Sequence, residues 1–210
     1  IEAVYLGYWV LARKPADQSV NRDDILVAAA EVLQRNGYDA ATMKDIAAAV
    51  NLTAASLYHH FRNKDTLMLA VLEAGLAHIM SRIEPIAHDE LLSPSLKLRG
   101  MIAEHITGLT QNTAVGAAMV FEIRTLMMFR LPPGDALTPA EQEFAARRDA
   151  FFARRDQFEH LFRFVIRQGI ESGEFRAVDV PIFTKTLLGA HNWVGVWYKP
   201  NGRLDGAGIA

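Results

Sequence analysis

From Ser19 onward, apolar residues recur every three or four positions and seldom alternate with polar ones. That spacing lines one side of an α-helix, whereas a half-buried strand needs a period of two. The chain is therefore expected to be all-α, with no strand pattern or Gly-rich phosphate loop interrupting it. Half of its 210 residues are apolar, enough for one or two small domains with a real core. It contains no cysteine, which excludes disulfide frameworks, thiolate zinc sites and a Cys nucleophile, and makes the cytoplasm the expected compartment. The net charge of −2 argues against indiscriminate coating of nucleic acid but permits a small basic face. The apolar run over residues 1–11 has no cationic segment before it and is about half the ~20 residues needed to span a bilayer. Residues 1–20 are therefore expected to be an extension, with no membrane partner.

Caps and breakers divide the pattern into helices. A first helix is expected over 22–36, with Ile25, Ala28, Ala29, Val32 and Leu33 on one face and Gly37 ending it. Thr42 is a good N-cap for a short second helix, and Asp45 is a shorter stand-in for the capping-box acid. Asn51 tolerates the left-handed conformation of a tight turn, and Thr53 caps the next helix, 54–60. Two short helices joined in this way make a helix-turn-helix. A long apolar helix follows the Asn63 cap and is expected to stop by Glu84, because Pro85 disfavours helical geometry in its predecessor. Further helices are expected from Ser93-Pro94, over 114–130 with closure at Pro132-Pro133-Gly134, from Thr138-Pro139 to Gly173, and from Asp179 to before Pro200.

The run Tyr58-His59-His60-Phe61 invites three readings. Adjacent helical residues point about 100° apart, so His59 and His60 do not share a metal ion the way a one-turn pair does. No nucleophile elbow appears, and the other histidines stand in no catalytic motif. Leu57 and Phe61, four apart, suit the core, which leaves Tyr58 and His59 for another partner. Short residues where a helix backbone meets the major groove, and hydroxyls at its N-terminal end, suit DNA. Thr53, Ala54, Ala55 and Ser56 meet both needs, and Tyr58, His59 and Lys64 can grip the backbone. Arg22, just before the first helix, is a further phosphate candidate.

The stretch "ILVAAAEVLQRNGYDAATMKDIAAAVNLTAASLYHHFRNKDTLMLAVLE" resembles the N-terminal DNA-binding domain of the TetR family of transcriptional regulators. The resemblance implies a homodimeric repressor, not an enzyme, with two such domains on a palindromic double-stranded operator. Residues 21–66 would form the helix-turn-helix domain and residues 67–210 a ligand-binding and dimerising domain. At matching positions Thr42, Thr53, Ser56, Tyr58, His59 and Lys64 would contact DNA, with Ala54 and Ala55 allowing close approach. Many members carry Gly, Lys or Pro at those two positions, so no base preference carries over.

The end of the chain, "FTKTLLGAHNWVGVWYKPNGRLDGAGIA", resembles a branch whose members often answer to acyl-CoA esters of fatty acid or steroid catabolism. That branch implies a dimer interface on the last two long helices, for which Phe151, Phe158, Phe162, Leu187, Val194 and Trp197 offer apolar surface. Met101, His105, Phe121, Met127, Met128, Phe129 and Trp193 are candidate pocket residues for a small hydrophobic ligand, an acyl-CoA among them. Arg124 either pairs with Glu122 or Glu104 or meets an anionic ligand group. Two other readings compete: a regulator answering to a hydrophobic drug or lipid, and a helical enzyme using His105 or His191 as base. No cofactor or metal is expected.

Overall fold

The computed structural model describes residues 20–130 and 137–210, and these form helices and loops only. In chain order the helices are α1 (Arg22–Ala40), α2 (Met43–Ala49), α3 (Ala54–His60), α4 (Lys64–His88), α5 (Pro94–Gln111), α6 (Thr113–Met128), α7 (Pro139–Glu171), α8 (Val180–Trp197) and α9 (Gly206–Ile209). Most of the extension over 1–20 and the Pro132-Pro133-Gly134 breaker lie outside the described residues.

Local chemistry accounts for most boundaries. Thr42 Oγ1 accepts from the Asp45 N–H while Asp45 accepts from the Thr42 N–H, a complete capping box. Asn51 takes φ 57° between α2 and α3, the left-handed turn expected of it. Gly37 breaks α1 at φ 71°, and one further helical turn follows it to Ala40. The fold departs from expectation at α4, which runs through Pro85 to His88. Pro85 is exposed while Ile83 and Ala87 on the opposite side are fully buried, so packing holds the helix across the missing N–H. Pro85→Ala, which restores that N–H to the Ser81 carbonyl, is expected to stabilise the chain by roughly 1–3 kcal/mol, measurable by urea denaturation. The four-residue α9 turn carries no apolar spacing that would predict it. Its Gly206 is buried against α5, and a Cβ there would lie 2.0 Å from Thr110 Oγ1.

Helix α4 is the hub. By length and composition it could cross a membrane, yet half of its apolar window is buried inside the fold. It packs against α1, α5, α6 and α7. Leu67, Met68, Leu69, Val71 and Leu72 share one core with Ile25, Ala29 and Val32 of α1 and with Leu126, Phe151 and Phe162 further along. The core is thus continuous across the expected boundary at residue 66.

Candidate nucleic-acid interface and effector cavity

Leu57 and Phe61 hold α3 to the core, which turns the rest of the helix outward. Ala55 and His59 are exposed, Ala54 and Ser56 half-buried, and Tyr58 is 52% exposed. Thr53 Oγ1 accepts from the Ser56 N–H at 3.0 Å and lies 2.9 Å from Ser56 Oγ. Two hydroxyls share one hydrogen bond, so one hydroxyl hydrogen remains for an outside acceptor. The Thr42 hydroxyl is engaged differently, since it donates to Asp45 at 2.6 Å. Arg22 is exposed, with its guanidinium 5.1 Å from the Phe61 ring centroid. Lys44 and Arg62 are exposed cations with no ion pair among the described residues, and sequence reasoning passed over both.

Lys64 is placed otherwise than expected. Its ammonium donates to the carbonyls of Tyr38, Ala41 and Asp39 at 2.6, 3.0 and 3.3 Å and sits 4.2 Å from the Tyr38 ring centroid. It closes the C-terminal end of α1 instead of standing free for a phosphate. A Lys in the first turn opposes its own helix dipole, and that misfit was the available signal. Beside it the Tyr38 hydroxyl donates to Asp65, and burial, with Asp65 adjoining, raises the phenol pKa. Glu122 of α6 is buried, its carboxyl pushed upward by desolvation against the opposing pull of the Thr125 hydroxyl and the Tyr38 backbone. The end of α1, the start of α4 and the middle of α6 thus meet at one polar junction.

A cavity of about 710 Å³ opens between α1, α4, α5, α6, α7 and α8. Ile79, His105, Leu109, Val115, Met119, Ile123, Phe158 and Leu188 give it an apolar wall, and Arg155, Glu159, Lys185 and Asn192 a polar side. Lys185 and Glu159 are 3.2 Å apart. Leu26, Val27 and Asp23 of α1 also line it, so the helix-turn-helix unit is itself part of the wall.

Of the residues expected in the pocket, His105 alone lines this cavity. Met101 is fully buried in the core, whereas Phe121, Arg124, Met127, Met128 and Trp193 are exposed. On α6 the cavity face is the Val115–Met119–Ile123 row; Phe121 and Met128 fall on its far side and Arg124 beside it, while Met127 continues the row one turn past Ile123, beyond the residues that line the cavity. Arg124 has no carboxylate partner among the described residues, since Glu104 pairs with Arg82 and Glu122 accepts from Thr125. The α7–α8 surface needs a similar correction. Phe151, Phe158, Phe162 and Val194 are buried within the chain and Leu187 partly so. The unpartnered apolar stripe is instead Ile182, Phe183, Trp193 and Trp197 on α8, with Trp193 61% and Trp197 50% exposed. Apolar spacing of three and four marks a helix but does not say which of two apolar sides a neighbour covers.

Burial pushes His105 down to about 3 and its neighbour His191 down to about 4. Both therefore stay neutral in the folded chain where an unfolded imidazole, near 6.5, takes a proton. Between pH 6.5 and 4 the unfolded state binds more protons, so stability falls with falling pH by up to about 1.4 kcal/mol per unit for each ring. Above pH 6.5 this loss is absent. Thermal melts across pH 8 to 4 check this, and a chain with both histidines changed to Phe should show a shallower slope between pH 6.5 and 4.

The arrangement defines a helix-turn-helix protein with a helical effector-sized cavity. The model for "Bacterial regulatory proteins, tetR family" matches residues 25–71, and that for "Tetracyclin repressor-like, C-terminal domain" matches residues 139–210. The chain belongs to the TetR family, whose members are DNA-binding transcriptional regulators rather than enzymes. It is similar to the HTH-type transcriptional repressor KstR2 of Mycolicibacterium smegmatis, 26% identical over 91% of this chain and 85% of that one. The structure of the ketosteroid transcriptional regulator KstR2 of Mycobacterium tuberculosis superposes with a TM-score of 0.75 at 25% identity, covering 91% of this chain and 90% of the other. AibR in complex with isovaleryl coenzyme A and operator DNA superposes with a TM-score of 0.72 at 26% identity, covering 88% and 90%.

Proposed function

We propose that the chain is a cytoplasmic, homodimeric repressor that binds a palindromic operator and is released by a small hydrophobic effector, an acyl-CoA. Residues 21–66 read the DNA and residues 67–210 hold the effector and the partner. Thr53, Ser56, Tyr58 and His59 contact DNA, Ala54 and Ala55 let the backbone approach, and Arg22, Lys44 and Arg62 supply charge. The α8 stripe around Trp193 and Trp197 meets its copy in the dimer.

The observation that carries the effector reading is the shared wall: the cavity touches α1 as well as α4. An occupant that pushes Leu26 and Val27 away from Ile79 moves the helix-turn-helix unit directly. Half-sites lie about one turn, ~34 Å, apart on DNA, so a small swing of either unit breaks register. The apolar interior suits an acyl chain, Arg155 and Lys185 suit phosphates at its edge, and AibR offers a similar protein holding both a CoA ester and DNA.

Anisotropy of a labelled upstream fragment, with C4 to C16 acyl-CoAs added, tests the reading. Coupling of about 1–3 kcal/mol corresponds to a 5- to 150-fold loss of DNA affinity at an optimal chain length. Unchanged affinity across all lengths removes this ligand class, and release by a neutral lipid or drug reassigns the effector.

A further inference from the structure

We infer that His105 recognises a neutral oxygen on the effector, a carbonyl or hydroxyl, and that His191 positions it to do so. The inference rests on the cavity being the effector site and adds a chemical requirement to what fills it.

His105 is 6% exposed and reaches the cavity from α5. Its Nδ1 lies 3.3 Å from Nδ1 of His191 on α8, a hydrogen bond in which one nitrogen donates and the other accepts. Its ring is set edge-on to Phe158, centroids 5.1 Å apart, and to His191 at 5.4 Å. The ring is therefore held between Phe158 and His191. Nε2 of His105 has no hydrogen-bond partner among the described residues, yet it is not a sealed atom, unlike Nε of Arg163. Because His105 is one of the residues lining the cavity, we assign that opening to the cavity.

The tautomers of the two rings are complementary. When His191 donates from Nδ1, His105 carries its proton on Nε2 and offers it to a carbonyl. In the opposite arrangement His105 Nε2 accepts from a hydroxyl. A pure hydrocarbon leaves that nitrogen dehydrated and unpaired, which costs affinity. A carboxylate gains less than at an imidazolium, because burial keeps this ring neutral. Among chain-like ligands the pair thus selects oxygenated ones, and in an acyl-CoA the thioester carbonyl is such an oxygen.

Two matched pairs of probes isolate the oxygen by calorimetric titration: decanoyl-CoA against its thioether S-decyl-CoA, and 2-undecanone against undecane. The carbonyl member of a pair should bind the wild-type protein about five- to tenfold more tightly, a typical single hydrogen bond. In His105→Phe, which keeps an aromatic ring at the site, the ratio should fall to near one, and in His191→Phe it should shrink. Nitrogen-15 spectra of the wild-type imidazoles provide a readout independent of any variant's folding. They should show one ring protonated at Nδ1 and the other at Nε2, with His105 Nε2 shifted by the ketone. Equal binding of both members to wild type, an unchanged ratio in His105→Phe, no Nε2 shift, or no binding of any probe would each overturn the inference. Binding of the ketone pair with the expected ratio, but of neither CoA compound, would uphold it while removing the acyl-CoA reading.

Discussion

Ala55→Glu is expected to weaken operator binding by at least about 100-fold while leaving the melting temperature unchanged or slightly raised. Ala55 is exposed as the second residue of α3. A carboxylate in the first turn complements the helix dipole, a gain of about 0.3–1 kcal/mol, so the fold should not suffer. On DNA the same carboxylate is brought into the groove between two rows of phosphates, where like-charge juxtaposition costs several kcal/mol. Circular dichroism melts paired with anisotropy titrations separate the two effects. Retained DNA affinity would mean that another surface meets the operator.

Lys64→Met is expected to destabilise the chain by about 2–4 kcal/mol, with a lower urea midpoint. The ammonium serves three backbone carbonyls and the Tyr38 ring. Hydrogen bonds to a charged group contribute about 1.5–3 kcal/mol, and acceptors left unsatisfied in a half-buried place add to the loss. The apolar stem of Met keeps the side-chain packing, so the charge is what the variant removes. A Lys serving only as a phosphate ligand would leave the melt unchanged and lower the salt dependence of DNA binding by about one phosphate. The variant therefore distinguishes a junction residue from a DNA contact.

The helix-turn-helix was legible because its signals are local. Caps at Thr42, Thr53 and Asn63 and the turn residue Asn51 each fix geometry within three or four positions of themselves. The cavity was not legible in the same way. Its wall takes residues from six helices, and which side of α6 faces it depends on how α4 and α8 pack against that helix. Both sides of α6 are apolar, so spacing alone does not separate Phe121 and Met128 on one side from Met119 and Ile123 on the other, nor show that the cavity stops short of Met127. The burial of Phe158 and Phe162 follows the same rule, since the aromatic spacing on α7 serves the core and leaves the free stripe to α8. Pro85 misled for a related reason: the local rule was sound, but buried Ile83 and Ala87 outweigh it. The His105–His191 pair spans 86 positions, beyond any spacing argument.

The most direct test is an anisotropy titration of the wild-type protein against its own upstream DNA and a scrambled duplex of equal length, across a salt series. The account predicts binding to the upstream fragment at least about 10³-fold tighter than to the scrambled one. The logarithm of affinity should fall linearly with the logarithm of salt, with a slope of about −0.9 for each phosphate neutralised. Equal affinity for the two duplexes at every salt concentration would contradict it.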